Sequence, residues 1–224
     1  GITTGGKLQE FLEVNNFPKI IIDPSNNPGN MPRFALGYAI MAEIKFFVEA
    51  GVIKENVYSD DTFLITLEEL KSQIPTIKEI AKNMASKLKD KAICLVAGGH
   101  LGGNGKTFVN QVNESSKMVA FSAYLPEADH NLVESFTENY QYMKVFLMKS
   151  NLFSEKLKKR FEITSKLIEN SGYELFSYET KSTDKLFEAI EYLLFTSYLS
   201  VYMATEKGVD PLSIPSIDFI KANI

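Results

Sequence analysis

Apolar and polar positions follow two rhythms along this chain. From residue 91 onward, short apolar runs near 92–97, 118–124, 143–148 and 173–178 are separated by stretches of helical period, roughly 105–116, 153–171 and 182–206. Strands separated by helices of that length predict parallel pairing, with helices on both faces of one sheet. The expected class is α/β, a three-layer αβα domain. Ligands in such sheets sit beyond the carboxyl ends of the strands, which points to 98–105 and 125–131.

Before residue 91 the pattern is less regular. Lys19-Ile20-Ile21-Ile22-Asp23 reads as a short buried strand, and the Pro, Asn and Gly residues of 24–30 as a loop. A helix entered at Pro32 runs to about Ala50. Residues 66–89 read as two polar-faced amphipathic helices around Pro75. Gly1-Ile2-Thr3-Thr4-Gly5-Gly6-Lys7 reads as a strand end and a turn with nothing leading into it, so the chain is expected to open inside a domain. The predicted organisation is a domain remnant at 1–50, a helical connector at 51–90 and a complete domain at 91–224.

Composition narrows the function classes. Hydrophobic residues make up 45% and charged residues 23%, enough apolar content for a core and too little charge for disorder. A net charge of -4 leaves no broad basic face, which argues against a nucleic-acid partner. The apolar stretch 186–203 is interrupted by Glu188 and Glu191 and does not read as a membrane span, and no secretory signal opens the chain. The cytoplasm is the expected compartment. Cys94, the single cysteine, lies inside an apolar run and reads as core filler.

Several stretches invite a chemical reading. Gly98-Gly99-His100-Leu101-Gly102-Gly103-Asn104-Gly105-Lys106-Thr107 follows a strand and opens a helix, where a phosphate cradle would be. Five residues separate Gly99 from Gly105 where a nucleotide P-loop needs four, so a flexible strand-to-helix turn is the better reading and ATP is not expected to bind. Two histidines without ligand spacing and one cysteine predict no metal site, and no Gly-x-Ser-x-Gly supports a serine hydrolase. Glu114, late in a helix, would ordinarily be a solvated carboxylate. His130, just past a strand in Leu125-Pro126-Glu127-Ala128-Asp129-His130-Asn131, can exchange protons near neutral pH. The closing stretch 208–221 holds Pro211 and Pro215 before a short helix carrying Lys221.

Taken together, Ile2-Thr3-Thr4-Gly5-Gly6-Lys7-Leu8, Pro32-Arg33-Phe34-Ala35-Leu36, Asn113-Glu114, 125–131 and 208–221 resemble the bifunctional phosphoglucose/phosphomannose isomerases, a branch of the sugar isomerase (SIS) fold. The resemblance covers essentially the whole chain. It implies a catalytic set of Arg33, Glu114, His130 and Lys221, with Arg33 and Lys221 also binding substrate, and no cofactor or metal. His130 would open the pyranose ring and reach the site of a neighbouring subunit in a homodimer. Glu114 would move a proton between the first two sugar carbons through a cis-enediol. The chemistry suits these types, since one carboxylate can take and return a proton and two fixed cations stabilise an enediolate.

Two departures from the family pattern shape the expectation. The serine and threonine loops that hold the phosphate in the first SIS half do not appear, so the chain reads as a C-terminal part, with Gly1 left from tag removal, that alone isomerises poorly or not at all. Ile214 stands where dual-specificity members can carry a threonine, and an isoleucine cannot hold a water, so glucose 6-phosphate is the expected substrate and mannose 6-phosphate an open one. The rival expectation is a non-catalytic SIS-type phosphosugar sensor.

Overall fold

The structure, a computed structural model, describes residues 1–54, 60–137, 140 and 142–224. The part of the expected connector at 55–59 lies outside them. The chain divides into two compact units, Gly1–Lys71 and Ser72–Ile224.

In the first unit, β1 (Ile2–Thr3) pairs in parallel with β2 (Ile20–Ile21), and α1 (Gly6–Val14) connects them. This helix is absent from the sequence prediction, which stops at a glycine turn. Its signal is present in Leu8, Phe11 and Leu12, spaced for one helix face, of which Leu12 is buried. A 3-10 turn at Pro32–Phe34 leads into α2 (Leu36–Glu49). Leu12, Ala42, Phe63 and Leu70 are buried in this unit, while Phe11, Val14, Phe17, Phe46, Phe47 and Val52 are exposed.

Helix α3 (Asp60–Leu88) is one helix and not the two predicted. Pro75 lies inside it and cannot donate to the carbonyl four residues back, at Lys71, where the two units divide. The helix continues because Ile77, Ala81, Ala85 and Leu88, on one face, enter the core of the second unit.

That core surrounds a parallel sheet of β3 (Ala92–Gly98), β4 (Ala120–Leu125), β5 (Met143–Leu147) and β6 (Leu175–Ser177) in the order β4-β3-β5-β6. Val96 stands opposite Ala123 on one side and Leu147 on the other. β3 is central and covered on both faces, which explains its continuous apolar run, Ile93 to Ala97 being wholly buried.

Strand alternation sends Leu95 and Ala97 against α4 (Gly102–Ser115), while Gly98 meets Phe161 and Leu157 of α5 (Glu155–Asn170). α6 (Lys185–Lys207) packs against α4, so helices cover both faces and the domain is the expected three-layer α/β fold. Asp184 caps α6 by accepting from the N–H groups of Leu186 and Phe187, and Gly208 ends it at φ 68°. Two 3-10 turns, Glu127–Asp129 and Val133–Thr137, lie between β4 and β5. The short α7 (Pro215–Ala222) closes the chain.

Candidate functional site

The end of α4 holds the first site residue, Glu114. Its neighbour Asn113 clamps the start of β4, accepting from the Ala120 N–H at 2.7 Å and donating to the Ala120 carbonyl at 3.2 Å. β4 is the edge strand, so this amide satisfies backbone groups at its first residue. Beyond the helix cap Lys117 adopts φ 53°, and its ammonium donates to the carbonyls of Glu114 and Ser213. Glu114 itself is half-buried. The tail that carries Ile214 and Lys221 is therefore tied directly to the Glu114 end of α4.

His130 lies elsewhere in the same domain. After β4 the chain enters the turn Glu127–Asp129, in which Ala128 is buried and Asp129 accepts from Arg160 and, at 3.0 Å, from Thr164 of α5. The His130 N–H caps this turn on the Glu127 carbonyl at 3.0 Å. The turn is pinned on both sides of its backbone while the His130 residue is exposed. A fixed backbone with an outward imidazole suits a group presented to another molecule.

Glu114 and His130 do not meet within one chain. α4 follows β3 directly and packs back along β3 and β4, so Glu114 falls beside the first residue of β4 and His130 five residues past its last. The six residues of β4 alone span about 20 Å. Arg33 belongs to the first unit, where it is buried in the 3-10 turn with its guanidinium carbon 5.0 Å from the Phe34 ring centre. Lys221 is exposed on α7, none of whose residues is buried, and Ile214 is half-buried just before that helix.

Residues 77–224 match the family of bacterial phospho-glucose isomerase C-terminal SIS domains. The chain belongs to this family. It is 31% identical over 231 residues to the bifunctional phosphoglucose/phosphomannose isomerase of Caldicellulosiruptor bescii, covering 98% of this chain and 66% of that protein. It is 24% identical to the protein of the same name from Aquifex aeolicus, covering 100% of this chain and again 66% of the relative. The chain thus spans about two thirds of the length of these curated relatives. In fold it resembles the crystal structure of a hypothetical protein from Thermus thermophilus, with a TM-score of 0.69 at 14% identity over 99% of this chain and 61% of that one.

In this SIS domain the glycine-rich stretch is the expected strand-to-helix turn, a 3-10 turn at Gly99–Leu101 leading into α4, and some of its glycines are required by packing. A Cβ on Gly105 would lie 2.8 Å from that of Ala97 and 3.2 Å from Leu95 Cδ2, so the glycine lets α4 approach β3. Gly99 sits at φ 54°, and a Cβ there would meet the Phe153 ring at 3.1 Å.

The SIS sheet also contains a polar cluster that sequence reasoning missed. β3 is the switch point of the sheet, with β4 added on one side of it and β5 and β6 on the other, and at the carboxyl ends of β3 and β5 the Glu188 carboxyl, 1% exposed, collects three side chains. His100 Nε2 lies 2.6 Å from Oε2, Ser150 Oγ donates to Oε2 at 2.7 Å and Thr180 Oγ1 to Oε1 at 2.7 Å. One helical turn on, buried Glu191 accepts from the Tyr178 hydroxyl at 2.8 Å, the Ser182 hydroxyl at 2.6 Å and the N–H groups of Lys181 and Ser182. Burial first, then the Glu191 carboxylate, raise the Tyr178 phenol above its ordinary range and keep it a donor. The signal lay in two glutamates three apart inside an otherwise apolar helix, read only as interruptions of a membrane span.

The crevice where a doubly wound sheet usually takes its ligand is thus filled by the protein's own polar groups. An open cleft of about 740 Å³ flanks it, lined by residues including Lys149, Asn151, Lys158 and Glu179, and contains none of the predicted site residues. Burial raises the Cys94 thiol to about 12, so it stays protonated and unreactive in the core. Among the described residues no group of three or more His, Cys, Asp or Glu could hold a metal ion, and no helix is long and apolar enough to cross a membrane.

Proposed function

We propose that the protein is a phosphosugar aldose–ketose isomerase whose site is completed between two chains. The observation that carries this reading is the separation of Glu114 and His130 at opposite ends of β4, with His130 exposed on a pinned turn. A proton carrier and a ring-opening group must touch one sugar, so the imidazole comes from a second copy in a homodimer. Family membership and the names of the curated relatives, bifunctional phosphoglucose/phosphomannose isomerases, support a phosphosugar substrate, and the proposed pair is glucose 6-phosphate and fructose 6-phosphate.

In this reading His130 of one copy assists proton transfer between the anomeric hydroxyl and the ring oxygen, releasing the open-chain aldose. Glu114 takes the proton from C2, and the electron pair left behind forms the C1=C2 bond of a cis-enediol. The same carboxyl returns its proton to C1 while a hydroxyl proton passes from O2 to O1, which gives the ketose. Arg33 and Lys221 supply positive charge to the enediolate oxygens. Ile214 has no hydroxyl to hold a water, so mannose 6-phosphate stays an open second substrate.

Glu114→Gln tests the proton carrier. In the full-length protein it should lower kcat for glucose 6-phosphate at least ~100-fold while phosphosugar binding survives, since the amide keeps the shape and loses the base. Unchanged turnover contradicts the assignment. A wild type that binds phosphosugar but never turns it over supports a sensor instead.

A further inference from the structure

We infer that Lys117 is a positioning residue that latches the C-terminal tail to the Glu114 end of α4. The inference deepens the isomerase reading and rests on it for its catalytic consequence. Lys117 lies just past the cap of α4, at φ 53°, in the left-handed region where glycine is the residue without steric cost. The chain places a lysine there instead.

The side chain accounts for that choice. Its ammonium donates to the carbonyls of Glu114 in the last turn of α4 and, at 2.6 Å, of Ser213 in the tail. Its own carbonyl accepts from Lys207 Nζ, at the end of α6, at 2.9 Å. The end of α4 is therefore joined through one residue to the end of α6 and to the tail, 90 and 96 positions further on. Helix carbonyls in a last turn lack intrahelical partners and carry partial negative charge, so an ammonium suits them.

The position of this joint gives it a role beyond capping. Ser213 directly precedes Ile214 and stands two residues before α7, which carries Lys221 and buries none of its residues. A tether there governs where the exposed helix goes. It also fixes the tail against the main chain of Glu114 itself, so the carboxylate and the tail bearing Ile214 and Lys221 hold one spacing. Lys117 touches no substrate in this account and acts through the residues it holds.

The test compares Lys117→Gly and Lys117→Met with wild type in the full-length protein, by amide hydrogen exchange of residues 209–222, thermal unfolding and isomerase kinetics. Glycine removes the backbone cost together with the ammonium, and methionine removes the ammonium alone, which separates loss of the bridge from glycine's own freedom. Both variants should exchange the tail amides at least ~10-fold faster at a global unfolding midpoint close to wild type. Both should lower kcat for glucose 6-phosphate about tenfold and raise KM, since the displaced tail carries Lys221, whereas a general loss of fold lowers apparent kcat alone and shifts the unfolding midpoint. Tail exchange that stays at the wild-type rate in the methionine variant overturns the latch, and faster exchange with unchanged kcat overturns its positioning role. A wild type that isomerises no phosphosugar sinks the isomerase reading instead, and the exchange comparison then decides the latch by itself.

Discussion

Glu188 ends among three donors in a place that water does not reach, and its neighbours depend on it in turn. His100, Ser150 and Thr180 come from the segments after β3, β5 and β6, so one carboxyl joins three separate turns at the carboxyl end of the sheet. Truncating it removes a shared partner from buried Ser150 and part-buried His100 and Thr180 and empties its own buried site, and the expected cost of Glu188→Ala is about 2–3 kcal/mol. The drop in unfolding free energy from urea titration checks this, and a loss below about 1 kcal/mol would show the cluster to be dispensable. None of this is legible in the sequence, because a glutamate in a helix is exposed by default and its partners lie at least eight residues away along the chain. The glycine-rich stretch is legible as a strand-to-helix turn but not for its packing. Its composition suggests a loop, whereas Gly105 is small because Ala97 and Leu95 leave no room for a Cβ.

At the scale of elements, the strands and helices after residue 91 are readable because each apolar run is short and bounded and the long helices α5 and α6 carry boundary signals, Ser154 on α5 and Asp184 and Gly208 on α6. α1 is hidden behind Gly5 and Gly6, and the unbroken α3 behind Pro75. In both, packing of a few apolar side chains overrides a local breaker, as Ile77, Ala81, Ala85 and Leu88 do for α3. The Asn113-Glu114 pair shows how much of a site word is structural, since Asn113 holds the first residue of the edge strand by two hydrogen bonds. Asn113→Ala should therefore cost about 1–2 kcal/mol and speed amide exchange at the start of β4 while the rest of the sheet keeps its protection. Uniform protection of β4 in that variant would contradict the clamp.

At the scale of the whole molecule, one chain cannot bring its proposed carboxylate and imidazole together, because the helix after β3 runs back to the amino ends of the strands, where Glu114 lies, while the turn bearing His130 follows the carboxyl end of β4. Sequence order therefore reveals the two residues and conceals their separation, sixteen positions apart along the chain and about 20 Å apart along β4. The proposed two-fold dimer would resolve the conflict by setting each copy's turn against the other copy's helix end. The most direct measurement mixes two inactive full-length variants, Glu114→Gln and His130→Asn, and lets their subunits exchange. If the site is built across chains, each mixed dimer regains one intact Glu114–His130 pair, and random exchange restores about one quarter of wild-type activity. Isomerase activity that stays at the level of the separate variants, in mixed dimers shown to have formed, would contradict the account.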